Sequence, residues 1–295
     1  MIECVPNFSE GRQPEVIDAI ANQISSKHGI KLLSKEMDAN HNRSVITFAG
    51  EFEPVRKAAI DAAKKAAELI DLTKHTGEHP RIGATDVIPF IPLKGNTMED
   101  CVKLAREVGK EIGERLHIPV YLYEEAATNP ERKNLANIRR GEFEGLRDEL
   151  GVNPGRTPDF GPNKIHPTAG ATVVGARFFL LAYNINLNTS DIKTTKKIAK
   201  AIRESSGGMP AVKALGVFLE DEDIAQVSMN LTNYRVTGLK KVFDAVGEKA
   251  KELGTSIKES EIIGLIPAEA LVGTSPEELI ITDFNDKMII ENWFK

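Results

Sequence analysis

Apolar residues recur along this chain with two periods, and the alternation between them predicts its elements. Ile2 to Val5 is a short apolar strand, and NFSEGR (7–12) a turn. Pro14 opens a helix to about Ser26 with Val16, Ile17, Ile20 and Ile24 on one face. Ile30 to Met37 and Ser44 to Ala49 read as strands around a turn at Asp38 to Arg43. From Pro54 to Leu72 an Ala-rich helix carries Val55, Ala58, Ala59, Ala62, Ala66 and Leu69 at helical spacing. The run Val87 to Leu93 is a buried strand. The order is β-α-β-β-α-β, the split ferredoxin-like arrangement.

A helix from about Met98 to Leu116 and a strand from Val120 to Tyr123 follow. Residues 125–170 are rich in charge, Pro and Gly, with one short helix near Glu142 to Leu150. TPDFGPNKIHPTAG (157–170) shows no period, which in a compact chain marks function or disorder. The pattern restarts at Arg177: strand RFFLLAYNINL, helix Ser190 to Glu204, and a hairpin of Ala214 to Leu219 and Ala225 to Leu231 turned by EDED (220–223). Helix Gly238 to Leu253 and strand Ile257 to Ile266 complete a second β-α-β-β-α-β set. The expected fold class is therefore α+β, two ferredoxin-like subdomains with a cleft between them. The expected bounds are 1–176 and 177–295, with 157–176 as the connector. The tail from 274, with Trp293, is expected on the second subdomain or on a partner chain.

Composition narrows the function. A length of 295 residues with 41% hydrophobic and 27% charged positions is that of an ordinary globular protein. A net charge of −5 without a long basic run argues against nucleic-acid binding. No apolar stretch is long enough to span a membrane, and acidic Glu3 stands where a signal peptide needs a basic residue. Two cysteines, Cys4 and Cys101, both in apolar elements, give no disulfide framework and fit a reducing cytoplasm.

The densest chemistry lies in HTGEHPRIGATDVIPFIPL (75–93), where His75, Glu78, His79 and Arg81 occupy seven positions between a helix and a core strand. A loop histidine there takes up and returns a proton near neutral pH. The letters also spell H-x-x-E-H, a zinc motif that requires one helix. Gly77 and Pro80 break that helix, so no metal is expected. The plain alternative is a set of solvated loop residues. If the loops 7–12, 38–43 and 78–83 meet, Asp38 can orient the His79 ring, although a turn-forming role suits it equally. Arg43 and Arg81 can then clamp carboxylates. His41 and His75 read as turn and helix-end residues, and His166 can face a ligand. The pairs Arg132-Lys133 and Arg139-Arg140 are solvated surface or an attractant for an acidic tail such as polyglutamate. Neither a dinucleotide fingerprint nor a phosphate-binding loop is present.

CVPNFSEGR (4–12), NRSVITFAG (42–50), GEHPRIGATDVIPFIPL (77–93), PVYLYEEAA (119–127) and DFGP...GATVVGARFFLLAYNINL (159–187) resemble the formiminotransferase domain of glutamate formimidoyltransferases. AQVSMNLTNY (225–234) and IIGLIPAEAL (262–271) extend the resemblance over nearly the whole chain. It implies transfer of a formimino group from N-formimino-L-glutamate to tetrahydrofolate, a step of histidine breakdown, by two subdomains with a folate cleft. Tetrahydrofolate is then a co-substrate, no metal is needed, and the form is a cytoplasmic homodimer lacking the cyclodeaminase domain of bifunctional relatives.

The resemblance assigns the catalytic base to His79 and places Asp38 beside it. It assigns folate contact to Gly161, Pro162, Asn163, Lys164, Ile165, His166, Pro167, Thr168, Ala169 and Gly170, a stretch that departs from the vertebrate-like pattern. Arg43 and Arg81 remain the expected carboxylate ligands. Two other functions stand beside this one: formyl transfer between 5-formyltetrahydrofolate and glutamate, or other 5-formyltetrahydrofolate metabolism, in the same cleft, and a folate-binding role without catalysis.

Overall fold

Strand β1 (Ile2–Cys4) and the two-residue β2 (Asn7–Phe8) form the centre of the first sheet, each pairing antiparallel with β4 (Arg43–Gly50) on one side and β5 (Thr85–Pro92) on the other. The computed structural model describes residues 1–93 and 95–294. It divides into two units, Met1–Arg177 and a second that begins at Phe178.

In the first unit β3 (Ile30–Asp38) pairs with the outer edge of β4. Beyond β5 lie β7 (Thr172–Ala176) and then β6 (Val120–Glu124), both joined in parallel. Alternation along each strand sends Ile2, Cys4, Phe48 and Phe90 to one face, where they form one core with Ile17 and Ile20 of α1 (Pro14–Ser25), Ala58 and Ala62 of α2 (Phe52–Leu69), and Leu104 and Val108 of α3 (Met98–Arg115). Each buried Ile or Phe stabilises by about 1.5–3 kcal/mol. Thr97 and Asp100 form a reciprocal capping box that starts α3. On the opposite face, Val87, Tyr121, Tyr123 and Val173 are covered by Ile138 of α4 (Leu135–Ile138) and Leu146 of α5 (Glu142–Glu149).

The expected connector 157–176 requires correction. Residues 172–176 are an interior strand of the first sheet, between β5 and β6. TVVGA is too short for a visible period, and a strand buried on both faces reads as a continuous apolar run. Arg177 is still tied to this sheet, its N–H donating to the Phe90 carbonyl at 3.0 Å, so the next strand starts at Leu181 and not at Arg177.

In the second unit β8 (Leu181–Leu187), α6 (Ile192–Ile202), β9 (Val212–Leu219), β10 (Ile224–Leu231), α7 (Leu239–Glu252) and β11 (Ile257–Ile263) give an antiparallel sheet in the order β11-β8-β10-β9. The last strand stops at Ile263, short of the expected Ile266, because Gly264 takes a left-handed φ of 86°. The tail packs back on this unit: Ser260 donates through its N–H to the Ile280 carbonyl at 2.9 Å and through Oγ to the Leu279 carbonyl. The chain is thus α+β with two sheets in two units. Among the described residues, no helix is long and apolar enough to cross a membrane.

Candidate active site

Three loops of the first unit converge on Asn42, a non-glycine residue with a left-handed φ of 48°. Its Oδ1 accepts from the Gly11 N–H at 2.9 Å, and its Nδ2 donates to the Thr76 carbonyl at 3.0 Å. Its own carbonyl accepts from His75 Nε2 at 2.9 Å. Ser9 Oγ donates to the Gly83 carbonyl at 2.7 Å, joining the 7–12 turn to the far end of the histidine loop. These bonds draw the loop between α2 and β5 tight enough that Gly77 lies against the His41 carbonyl, where a β-carbon would sit 2.5 Å from the oxygen.

His75 is locked as a neutral ring. Its Nε2–H donates to Asn42, and its Nδ1 accepts from Arg81 Nε at 3.1 Å. Burial is the main cause that lowers its pKa, and the Arg81 charge adds to it. With both nitrogens occupied and residues 75–79 not helical, the histidines do not share a helix face as the zinc motif requires. Among the described residues no group of three or more His, Cys, Asp or Glu is arranged to hold a metal ion.

His79 sits two residues before a buried stretch, with its side chain 14% exposed. The carboxylate at its ring is Asp86, the second residue of β5: Asp86 Oδ2 lies 3.8 Å from His79 Nε2, an ion-pair separation and not a hydrogen bond. The same oxygen accepts from Arg139, the residue that ends α4, and Oδ1 accepts from the Ile82 N–H at 2.8 Å. Asp86 is 1% exposed. Burial alone would raise its pKa, but the His79 ring, Arg139 and the Ile82 N–H outweigh it and hold the carboxyl below its usual range.

Asp38 was expected in that place. Instead its carboxylate is spent on its own turn, accepting from the Asn40 and His41 N–H groups at 2.9 Å and pairing with His41 Nδ1 at 2.7 Å. None of its hydrogen bonds among the described residues reaches His79. Those bonds lower its pKa.

The two arginines expected as clamps differ. Arg81 is 6% exposed and has its guanidinium fully engaged: Nη1 donates to Glu142 at 2.7 Å and Glu144 at 2.9 Å, and Nη2 to Glu144 at 2.7 Å. It ties the start of α5 to the histidine loop and has no donor free for a substrate. The Arg43 side chain makes one hydrogen bond among the described residues, Nη1 to Asn7 Oδ1 at 3.2 Å, and its buried Nε has no partner.

The expected folate-contacting stretch divides in two. Gly161 to Ile165 runs beside the end of α3, with Asn163 and Lys164 exposed. His166 to Gly170 is a tight turn laid along the histidine loop: the Ala84 N–H donates to Ala169 at 2.9 Å, the Ala171 N–H to Ile82 at 2.8 Å, and the Leu72 N–H to Thr168 at 2.9 Å. Gly83 and Gly170 meet as a bridge pair, and a β-carbon on Gly83 would fall 1.8 Å from the Ala171 oxygen. Pro167 is exposed, and the His166 ring turns inward so that Nδ1 accepts from the Ala169 N–H at 3.0 Å.

Of the basic pairs, Arg139 is bound to Asp86, and Arg132 to Asp159 at 2.7 Å. Asp86 and Arg139 were missed as site residues. The sign of Asp86 was an acidic residue opening the apolar run Val87 to Leu93, a placement that burial makes costly unless a partner is near.

The family model "Formiminotransferase domain, N-terminal subdomain" matches residues 1–177, and "Formiminotransferase domain" matches residues 182–289. The chain is 47% identical to a glutamate formimidoyltransferase of Streptococcus pyogenes serotype M1, over 99% of this chain and 98% of that one. It is 48% identical to a glutamate formimidoyltransferase of Thermoplasma acidophilum, over 99% and 96%. A formimidoyltransferase-cyclodeaminase of Mus musculus is 46% identical over 92% of this chain but 51% of its own length, so the chain spans about half of that relative.

Proposed function

The chain belongs to the formiminotransferase domain family, and from that premise we propose that it transfers the formimino group of N-formimino-L-glutamate to tetrahydrofolate, giving 5-formiminotetrahydrofolate and L-glutamate. Near-complete alignment with two glutamate formimidoyltransferases supports a transferase acting in histidine degradation.

The observation that carries a role for His79 is a partly exposed imidazole with a buried, ionised carboxylate beneath it. In the reaction, N5 of tetrahydrofolate attacks the amidine carbon and forms a C–N bond. His79 takes the N5 proton. The tetrahedral adduct collapses as the bond from carbon to the glutamate nitrogen breaks, and His79 returns the proton to that nitrogen. Tetrahydrofolate is consumed as a co-substrate. Arg43, with its unspent donors, is the better candidate to hold a donor carboxylate, and Arg81 is not. Folate contact at the turn from His166 to Gly170 rests on that turn being bonded along the histidine loop. By the same reading the protein is a cytoplasmic homodimer, which sedimentation analysis and cell fractionation test.

The discriminating experiment offers purified protein two pairs, N-formiminoglutamate with tetrahydrofolate, and 5-formyltetrahydrofolate with glutamate. Turnover of the first pair is expected. Turnover of the formyl pair alone would reassign the substrate, and folate binding without turnover of either would remove the catalytic reading.

A further inference from the structure

The two nitrogens of His79 have different surroundings. Nε2 is buried, has no hydrogen-bond partner, and faces Asp86 at 3.8 Å. Nδ1 makes no hydrogen bond among the described residues, and with the side chain 14% exposed it is the nitrogen left open to a reactant. An ionised carboxylate cannot donate, so a neutral imidazole facing it lowers the energy by carrying its proton on Nε2. Asp86 cannot turn away: Ile82 N–H holds one oxygen, Arg139 the other, and 1% exposure excludes water from replacing either. Arg139 also leaves its own Nε buried and unpartnered.

We infer that Asp86 is a positioning residue that holds neutral His79 with its proton on Nε2, so that the Nδ1 lone pair is the base. This rests on the proposed transfer reaction. The N5 proton then arrives on Nδ1 and makes an imidazolium whose Nε2–H points at Asp86, and the same Nδ1 proton leaves with the glutamate nitrogen. No other proton carrier is needed. The ring faces Asp86 of β5, whose carboxylate is also held by Arg139 at the end of α4.

The test is nitrogen NMR of the full chain labelled with ¹⁵N-histidine, with turnover in parallel. In the wild-type protein, neutral His79 is expected as the Nε2–H tautomer. In Asp86→Asn the amide keeps an oxygen for the Ile82 N–H and offers an NH₂ to Nε2, so the proton is expected to move to Nδ1. kcat should fall by between about tenfold and the roughly 10²–10⁴ that the whole general base is worth, while the KM for either substrate stays within about twofold. An Nδ1–H tautomer in the wild type overturns the inference even if the variant does not fold. An unchanged tautomer in folded Asp86→Asn also overturns it. Loss of all turnover by wild-type protein with the formimino pair would instead count against the reaction, and the tautomer would still decide the role of Asp86.

Discussion

Arg81 Nε donates to His75 Nδ1 at 3.1 Å, and the bond exists only while that histidine is neutral. A proton on Nδ1 would set two donors against each other. His166 is under the same constraint, since its Nδ1 accepts from the Ala169 N–H, and burial, with the nearby His117, lowers its pKa. Both rings thus titrate lower in the fold than their ordinary 6.5. Such groups contribute stability that is present above the unfolded pKa and is lost as pH falls from about 6.5 toward the folded values. These two rings should therefore lower the denaturation midpoint between pH 7 and pH 5, against the opposite contribution of Glu3. His166→Asn, which keeps an acceptor for Ala169 without titrating, should lose part of that drop. Equal slopes in both proteins would contradict the assignment.

Glu3 acts with the opposite sign. Its carboxyl is 4% exposed on β1, and burial, offset in part by Arg177, raises its pKa from 4.5 to about 7. A raised acid stabilises the fold below its unfolded pKa, and that contribution is lost as pH rises through about 7. Glu3→Gln should gain stability relative to wild type between pH 5 and pH 8, by up to about 3 kcal/mol. Thermal melts of both proteins at the two pH values check this.

Arg43 and Arg81 should separate in kinetics and stability. Arg43→Ala should raise the KM for the donor about tenfold to a hundredfold, the worth of one charge-assisted bond, with little change in folding. Arg81→Met should lower stability and spare the KM. Breaking a buried ion pair costs roughly 3–5 kcal/mol, but Glu142 and Glu144 are about half exposed and rehydrate, so about 1–3 kcal/mol is expected. A KM effect confined to Arg81 would reverse the two assignments.

Gly83→Ala should be among the most damaging single substitutions in the first unit. The added carbon meets backbone, the Ala171 oxygen, so no side chain can yield. A loss at or beyond the upper end of the roughly 1–3 kcal/mol typical of overpacking is expected in urea denaturation. A change under about 0.5 kcal/mol would mean that the bridge to Gly170 is not rigid.

The helices α1, α2 and α3 and the strands β3, β4 and β5 were legible because each is long enough to show its period. Strand β7 was not, since the five residues TVVGA are too few to carry a period and its partners β5 and β6 are distant in sequence. The histidine loop was legible from its density of His, Glu and Arg. Its partner carboxylate was not: Asp38 looked suitable beside a turn, and the turn consumes it, while Asp86 was hidden at the start of a strand. Arg81 looked like a substrate ligand because Glu142 and Glu144, which satisfy it, lie some sixty residues later. Pairings at that range follow from the folded chain and leave no local signal.

The central claim is that His79 is the base that moves the proton between tetrahydrofolate and the glutamate nitrogen. Its most direct test is His79→Ala, with single-turnover formation of 5-formiminotetrahydrofolate measured beside the Kd for tetrahydrofolate. A fall of about 10²–10⁴ in the chemical step, with folate affinity within a few-fold of wild type, is the predicted result. Near wild-type turnover in that variant would contradict it.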